Sequence, residues 1–384
     1  MVAIKNRKSF YYKKETVFGE AYDDSQTFKE LLASEYSLDA RTDKLEVPQM
    51  SYLRELGSKS STGRKTGTLK ITKALTKAMM TNHLDLVKSG LGDTTTASSP
   101  VSVTGVTTST LTASSTSYVA GDLIQVTYDG KLSPILLVLS ADASSVTLRS
   151  ELTDAEVTCI DNAVTKTVRK VAKCSIGSPN TGDTYTVVQR YDNGVVEVMR
   201  GCGVACVINI SADGHAKIEI TFEASDVSNS YCSVPYVAPS GTITAEGDYP
   251  AIKFDFQKSL LWDVPNVEDI ELFPQMLDLK IAHTLEASPS SGQLNNRGGY
   301  YTKPNVTCEA KFHHSADNLA IFAEENEANS SQFYFTSQET FAFYAQTCDF
   351  VGNMPSDNGA YDSISVKMNI NHIATKPPYI VLPQ

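Results

Sequence analysis

The chain has 384 residues, 41% of them hydrophobic, with 33 Lys and Arg against 44 Asp and Glu for a net charge of −11. That length allows two or three domains with packed cores, and no apolar run approaches the roughly 18 residues of a membrane helix. Residues 1–90 carry 16 basic and 11 acidic side chains, whereas 241–384 carry 8 and 18. The acidic half argues against a protein that grips nucleic acid, because phosphate neutralisation needs clustered Lys and Arg.

In chain order, residues 10–50 alternate short β-like runs with charged turns. The opening Met1-Val-Ala-Ile-Lys-Asn-Arg-Lys8 lacks the apolar core of a secretory signal, so synthesis in the cytoplasm is expected. Residues 41–66 are polar, with Gly57, Gly63 and the bases Arg54, Lys59, Arg64 and Lys65, and read as a long loop. An alternating strand, Gly67–Leu75, leads into one helix over 77–90, with Met80, Leu84 and Val87 as its apolar stripe and Gly90 as its terminator.

Residues 94–117 are almost entirely Thr, Ser, Val and Ala. Beyond them an alternating run to Tyr128 meets Asp129-Gly130, a hairpin signal, and strands follow at 135–139 and 145–148. The stretch 97–178 therefore reads as an inserted all-β module, Ig-like or a small barrel. Next, 206–211 and 216–223 alternate around Asp213-Gly214, with Ile218, Ile220 and Phe222 on one face. Residues 226–250, rich in Ser, Pro, Gly and Tyr, read as a linker.

The second half follows the same order. A polar stretch at 287–304 precedes the strand Asn305–His313. A helix over 315–326 is expected, with Ser315 as N-cap, and a last strand places Ile364, Val366, Met368 and Ile370 on one face. The expected fold is mainly β (α+β): two tandem sandwich or barrel-forming domains, each with one short flanking helix, plus the inserted module. The boundaries are 1–96 with 179–228, 97–178 for the insert, 229–250 for the linker, and 251–384.

Little here points to chemistry. Cys202-Gly-Val-Ala-Cys206 lacks the second pair that structural zinc needs, and reads as two core cysteines. His313-His314 lie on opposite strand faces and could not easily share a metal. No nucleophile elbow, P-loop or His-Glu-x-x-His motif is present. No catalytic, metal or cofactor site is expected.

Four segments carry a resemblance. They are Lys13-Lys-Glu-Thr-Val-Phe-Gly-Glu-Ala-Tyr22, Gly67-Thr-Leu-Lys-Ile71, Lys88-Ser-Gly-Leu-Gly92, and Gly201-Cys202 leading into 204–222. In this order they resemble the tail tube proteins of long-tailed bacteriophages, over most of 8–95 and 183–224. The second half is similar by architecture alone, and the insert departs from the minimal family pattern. The resemblance implies sandwiches whose inner sheets join around a ring, with rings stacked into a hollow tube that conducts double-stranded DNA without specific binding.

It further implies self-association, a trimer favoured over a hexamer if two folds are fused. The other implied partners are tape-measure, tail-terminator and tail-tip proteins; the site is the virion tail, assembled in the host cytoplasm, without membrane insertion. Arg54, Lys59, Arg64, Lys65, Arg297, Tyr300 and Tyr301 are the expected inter-ring or inter-subunit contacts. The alternatives are another virion β-protein, of the tail tip or a capsid decoration, and a host-surface-binding protein with the insert as its adhesin. In a tube protein the insert would project outward and be dispensable for ring formation.

Overall fold

A computed structural model describes residues 8–50, 56–114, 117–177, 183–191, 194–210, 216–229, 237–247, 256–262, 270–272, 274–282, 285–287, 299–301, 305–313, 331–337, 341–357, 362–370 and 377–381. The protein is mainly β. Its first part holds β1 (Lys8–Lys14), β2 (Phe28–Leu31), β3 (Glu35–Met50), β4 (Leu56–Ala74), α1 (Ala78–Thr81), α2 (Leu84–Gly90) and β5 (Thr94–Thr95). The insert contains β6 (Val101–Val106), β7 (Thr110–Ala113), β8 (Leu123–Tyr128), β9 (Lys131–Leu132), β10 (Leu136–Ala141), β11 (Ser145–Leu148), α3 (Asp154–Asp161) and β12 (Lys166–Lys170).

The chain then returns through β13 (Lys173–Ser175), β14 (Tyr185–Tyr191), β15 (Val196–Ile210), β16 (Lys217–Ala224), β17 (Asp226–Asn229) and β18 (Ile243–Thr244). The second half comprises β19 (Phe256–Trp262), β20 (Ile270–Leu272), β21 (Pro274–Ala282), β22 (Leu285–Ala287), β23 (Gly299–Tyr301) and β24 (Asn305–His313). It ends with β25 (Ser331–Ser337), β26 (Phe341–Asp357), β27 (Asp362–Ile370) and β28 (Tyr379–Val381).

The first half is a two-layer sandwich. One layer runs β2-β1-β14-β15 and the other β3-β4-β16-β15, so β15 belongs to both. Alternation explains the packing between them: Ile218, Ile220 and Phe222 are fully buried, while Lys217 is exposed and Glu219 and Thr221 are half-buried. Leu69, Ile71, Phe10, Tyr12, Val187 and Val204 complete this core, and Leu86 and Val87 of α2 join it.

Three readings of the first half change. Residues 41–50 and 56–66 form no loop: they continue β3 and β4 as one antiparallel ladder from Arg41 opposite Thr66 to Met50 opposite Leu56. At ~3.4 Å per residue this ladder runs for roughly 30 Å. Residues 57–66 contain no apolar side chain other than glycine, which hid this part of β4 in the sequence. The helix over 77–90 is two short ones broken at Asn82-His83, with Met79, Leu86 and Val87 buried and Leu84 only half-buried. Gly90 is the last helical residue rather than the one beyond it, and a Cβ there would stand 2.3 Å from Cys206 Sγ. Its role is close approach of α2 to β15.

The insert is a closed six-stranded barrel, β10-β11-β7-β6-β12-β8 returning to β10, with β9 added to β8. Of the two expected architectures it takes the small barrel. Asp129 and Gly130, at φ 45° and 79°, make the expected turn between β8 and β9. Leu111, Val126, Val138, Val146 and Val168 fill the interior. The all-β reading missed α3, whose capping box joins Thr153 and Glu156 in both directions.

The barrel does not simply project. Leu123, Ile135, Leu137 and Val171 on its wall bury against Tyr334, Ala342, Tyr344 and Val381 of the second half, and Tyr334 Oη donates to the Ile135 carbonyl. Its stalk strands also join that half: β13 pairs with β5 on one side and β28 on the other. Nor do the described residues of 229–250 hang free. β18 pairs in parallel with β2, Tyr22 Oη donates to the Val237 carbonyl at 2.6 Å, and Glu246 is buried. The expected helix over 315–326 lies outside the described residues.

The docked wall makes a prediction. Leu137→Ala should cost about 2–5 kcal/mol in denaturant unfolding, whereas Leu139→Ala, at a 42% exposed position on the same strand, should cost under ~0.5 kcal/mol. Equal costs would mean that the barrel is not held on the second half by this contact.

Candidate assembly interface

The halves share one strand plan. The layer β3-β4-β16-β15 of the first half has its counterpart in β21-β24-β27-β26 of the second, and β1-β14 in β19-β25. A ladder irregularity fixes the residue alignment: β14–β15 slips between Tyr185 and Val187, and β25–β26 between Ser331 and Phe333. Their partners Cys202 and Cys348 therefore correspond, 146 positions apart (348 minus 202), and both are buried.

The same offset sets Ile218, Ile220 and Phe222 on Ile364, Val366 and Met368. Across the sheet, Glu223 pairs with Thr68 and Thr68 with Asp39, while Asn369 pairs with Thr307 and Thr307 with Lys280. Thr68 thus matches Thr307. Setting Gly67–Leu75 against Asn305–His313 from their first residues is one position out, a slip that exchanges the two faces of a strand.

The two plans meet edge to edge. The C-terminal part of β15 pairs with β21, placing Val207 opposite Ala282, Ile208 opposite Ile281, Asn209 opposite Lys280 and Ile210 opposite Leu279. Ile208, Leu279 and Ile281 enter one core with Val306 and Cys308. Each such buried aliphatic side chain contributes about 1.5–3 kcal/mol, against about 1 kcal/mol net for a ladder hydrogen bond. Burial is therefore the larger part of the seam's strength.

The result is one eight-stranded sheet, β3-β4-β16-β15-β21-β24-β27-β26. Its outermost strands are β3 and the 349–357 part of β26, each laddered on one side among the described residues. Its outer face is polar: Lys70, Asn209, Lys217, Lys280, Glu309, Asp349, Lys367 and Asn369 are exposed. Lys70 pairs with Glu219 at 3.4 Å.

Two buried carboxylates hold this sheet in place. Glu15, in the Lys-Glu-Thr-x-x-Gly stretch, accepts from Gly19 N and Thr184 Oγ1 through one oxygen, and from Thr186 Oγ1 and Gly201 N through the other, at 2.7–2.9 Å. Gly201 sits where β15 passes from one layer to the other. Its φ is 58° and a Cβ would stand 2.2 Å from Ser225 Oγ, so glycine is required there.

Glu246 bonds Lys73 Nζ and accepts from Leu32 N at 2.7 Å, and its carbonyl accepts from Asn82 Nδ2 at 2.6 Å. His83 Nε2 lies 3.3 Å from Glu246, while His83 Nδ1 is 2.8 Å from Tyr12 Oη. Asp85 accepts from Tyr12 Oη and from Lys29 Nζ at 3.0–3.1 Å. Burial lowers the Lys73 pKa to about 8, so Lys73 is cationic at neutral pH beside Glu246. Burial, then the charges of Lys73 and Lys29, push the His83 pKa down to about 3. The imidazole is neutral, and its approach to Glu246 is not an ion pair.

Of the expected contact residues, Lys59 and Lys65 lie in the β3–β4 ladder opposite Val47 and Thr42, and Arg64 lies in β4. Tyr300 and Tyr301 pair with Glu286 and Leu285 in the short β22–β23 ladder. Both groups thus lie on the connection between equivalent strands, in opposite halves. Arg54 and Arg297 lie outside the described residues. Sequence reasoning passed over Glu15, although the quoted motif contains it, and over Glu246.

Cys202 and Cys206 are both core residues, and burial raises their thiol pKa values well above the ordinary range. Among the described residues no group of three or more His, Cys, Asp and Glu could hold a metal, and no helix is long and apolar enough to cross a membrane. No family model matches the chain, and no curated protein matches it by sequence.

The His83 environment sets a pH dependence. Its folded pKa lies below its ordinary 6.5, so the stability tied to the neutral ring is complete above pH 6.5 and is lost as pH falls. Between pH 6.5 and 5, above most carboxylate titrations, unfolding free energy should fall by up to ~1.4 kcal/mol per pH unit, and His83→Gln should flatten that slope. An unchanged slope in the variant would remove His83 as its source.

Proposed function

We propose that this chain is a structural virion protein: a tail tube subunit that assembles through its sheet edges into rings, and through rings into a hollow tube for DNA. The observation that carries this reading is the fused eight-stranded sheet. Inside one chain a first-half β15 edge already binds a second-half β21 edge. The counterparts of those two edges, β26 and β3, end the sheet on opposite sides. A subunit with complementary edges at its two ends associates head to tail, and closes into a ring if the rotation per subunit allows. Closure would also cover edges that otherwise invite indiscriminate pairing.

Three chains would supply six repeats. The polar outer face suits a water-filled lumen, where dispersed Thr, Asn and mixed charges offer DNA no basic track to bind. Opposite net charges, +5 over residues 1–90 and −10 over 241–384, favour the head-to-tail orientation.

Negative-stain imaging of purified protein over a rising concentration series should reveal hollow rings or tubes. Chains that stay monomeric at every concentration, and form no ring with tail partners, would overturn the proposal. Appearance at one end of the tail alone, or on the capsid, would instead support a tail-tip or decoration protein.

A further inference from the structure

We infer that the seam between neighbouring chains copies the internal β15–β21 seam in register, with Asn353 of β26 opposite Arg41 of β3 in the next copy and Met354 opposite Ala40. The inference rests on the assembly reading above and adds to it the residues that meet. The 146-residue offset carries Val207 and Ile208 onto Asn353 and Met354. The Asp39–Lys280 correspondence, an offset of 241 (280 minus 39), carries Ala282 and Ile281 back onto Arg41 and Ala40. The internal pairs Val207 with Ala282 and Ile208 with Ile281 then become the external pairs.

Residue character supports this register. The core-entering seam residues Ile208, Ile281 and Leu279 correspond to Met354, Ala40 and Leu38, all apolar. Leu38 already packs, partly buried, against the core that Leu279 enters. A register shifted by one would interchange the core-facing and outward sets along a strand.

The two seams are not equal. The β26–β27 ladder shifts between Asn353 and Ser356, and Pro355 stands where the internal seam has Asn209, removing a backbone donor. Within the chain, the pairing of β13 with β28 is a second connection between the halves, made by the strand that follows the insert. The seam between chains is therefore the weaker one, and rings should open there rather than between halves.

The test is a cysteine pair, Arg41→Cys with Asn353→Cys, in a full-length chain whose Cys159, which is exposed, and Cys232, which lies outside the described residues, are replaced by Ser. Opposed strand positions bring Cα atoms to about 4.5–5.5 Å, within disulfide range. Assembled protein oxidised under copper–phenanthroline should give covalent dimers and closed trimers on non-reducing gels. The off-register pair Lys44→Cys with Asn353→Cys should give at least tenfold less. An unchanged melting temperature before oxidation reports that the variants fold.

Rings that form but cross-link equally in both variants, or in neither, overturn the register and leave the assembly reading intact. Protein that folds yet neither assembles nor cross-links overturns both. Mild denaturant should release single chains whose two halves are still docked from uncross-linked rings, and halves that come apart within a chain before the ring dissociates would contradict the unequal seams.

Discussion

The structure depends on four residue pairs, Val207 to Ile210 against Ala282 to Leu279, where one half of the chain lays its sheet edge on the other. Without that seam β15 and β21 would each present an open sheet edge. With it, the aliphatic residues of both halves share one core and a single sheet runs through eight strands. Two edges are covered, and two equivalent ones are left at the ends. The constraint is general: a strand has two sides, and each side must meet another strand, water, or a device that blocks pairing.

The remaining features keep that sheet in shape. Glu15 gathers four donors from three segments at the corner where β15 changes layers. Glu246 fastens the 237–247 segment to the residue after β2, to β4 and to the helix break through Leu32, Lys73 and Asn82. A buried charge is tolerated when its lone pairs are filled, and removing one partner is costly. Fusing two repeats in one chain has a further effect. In the proposed ring it would turn half of the seams into intramolecular contacts, which would lower the entropic cost of closure.

How much of this was legible in the sequence follows from what each feature rests on. β16, β27 and the Asp129-Gly130 turn were visible because alternation and positive φ are local properties of a few residues. The β3–β4 ladder was not, since Ser58 to Thr68 contains no apolar periodicity and its pairing is a backbone property. The helix break at Asn82-His83 depends on partners at Glu246 and Tyr12, more than 70 positions away along the chain. The repeat was legible as an order of elements but not as a residue alignment, because the signal that fixes the alignment is a ladder slip beside Cys202 and Cys348. Thr153-x-x-Glu156 was readable as a helix start and was masked by the all-β character of its surroundings.

The central claim is that complementary edges of a duplicated sheet join copies of this chain. Class averages of end-on particles from electron microscopy test it most directly, because every chain carries two wall repeats and one barrel. The account predicts a hollow ring of six wall repeats with three barrel densities, one on every second repeat. Six barrel densities, or compact particles without a lumen, would contradict it.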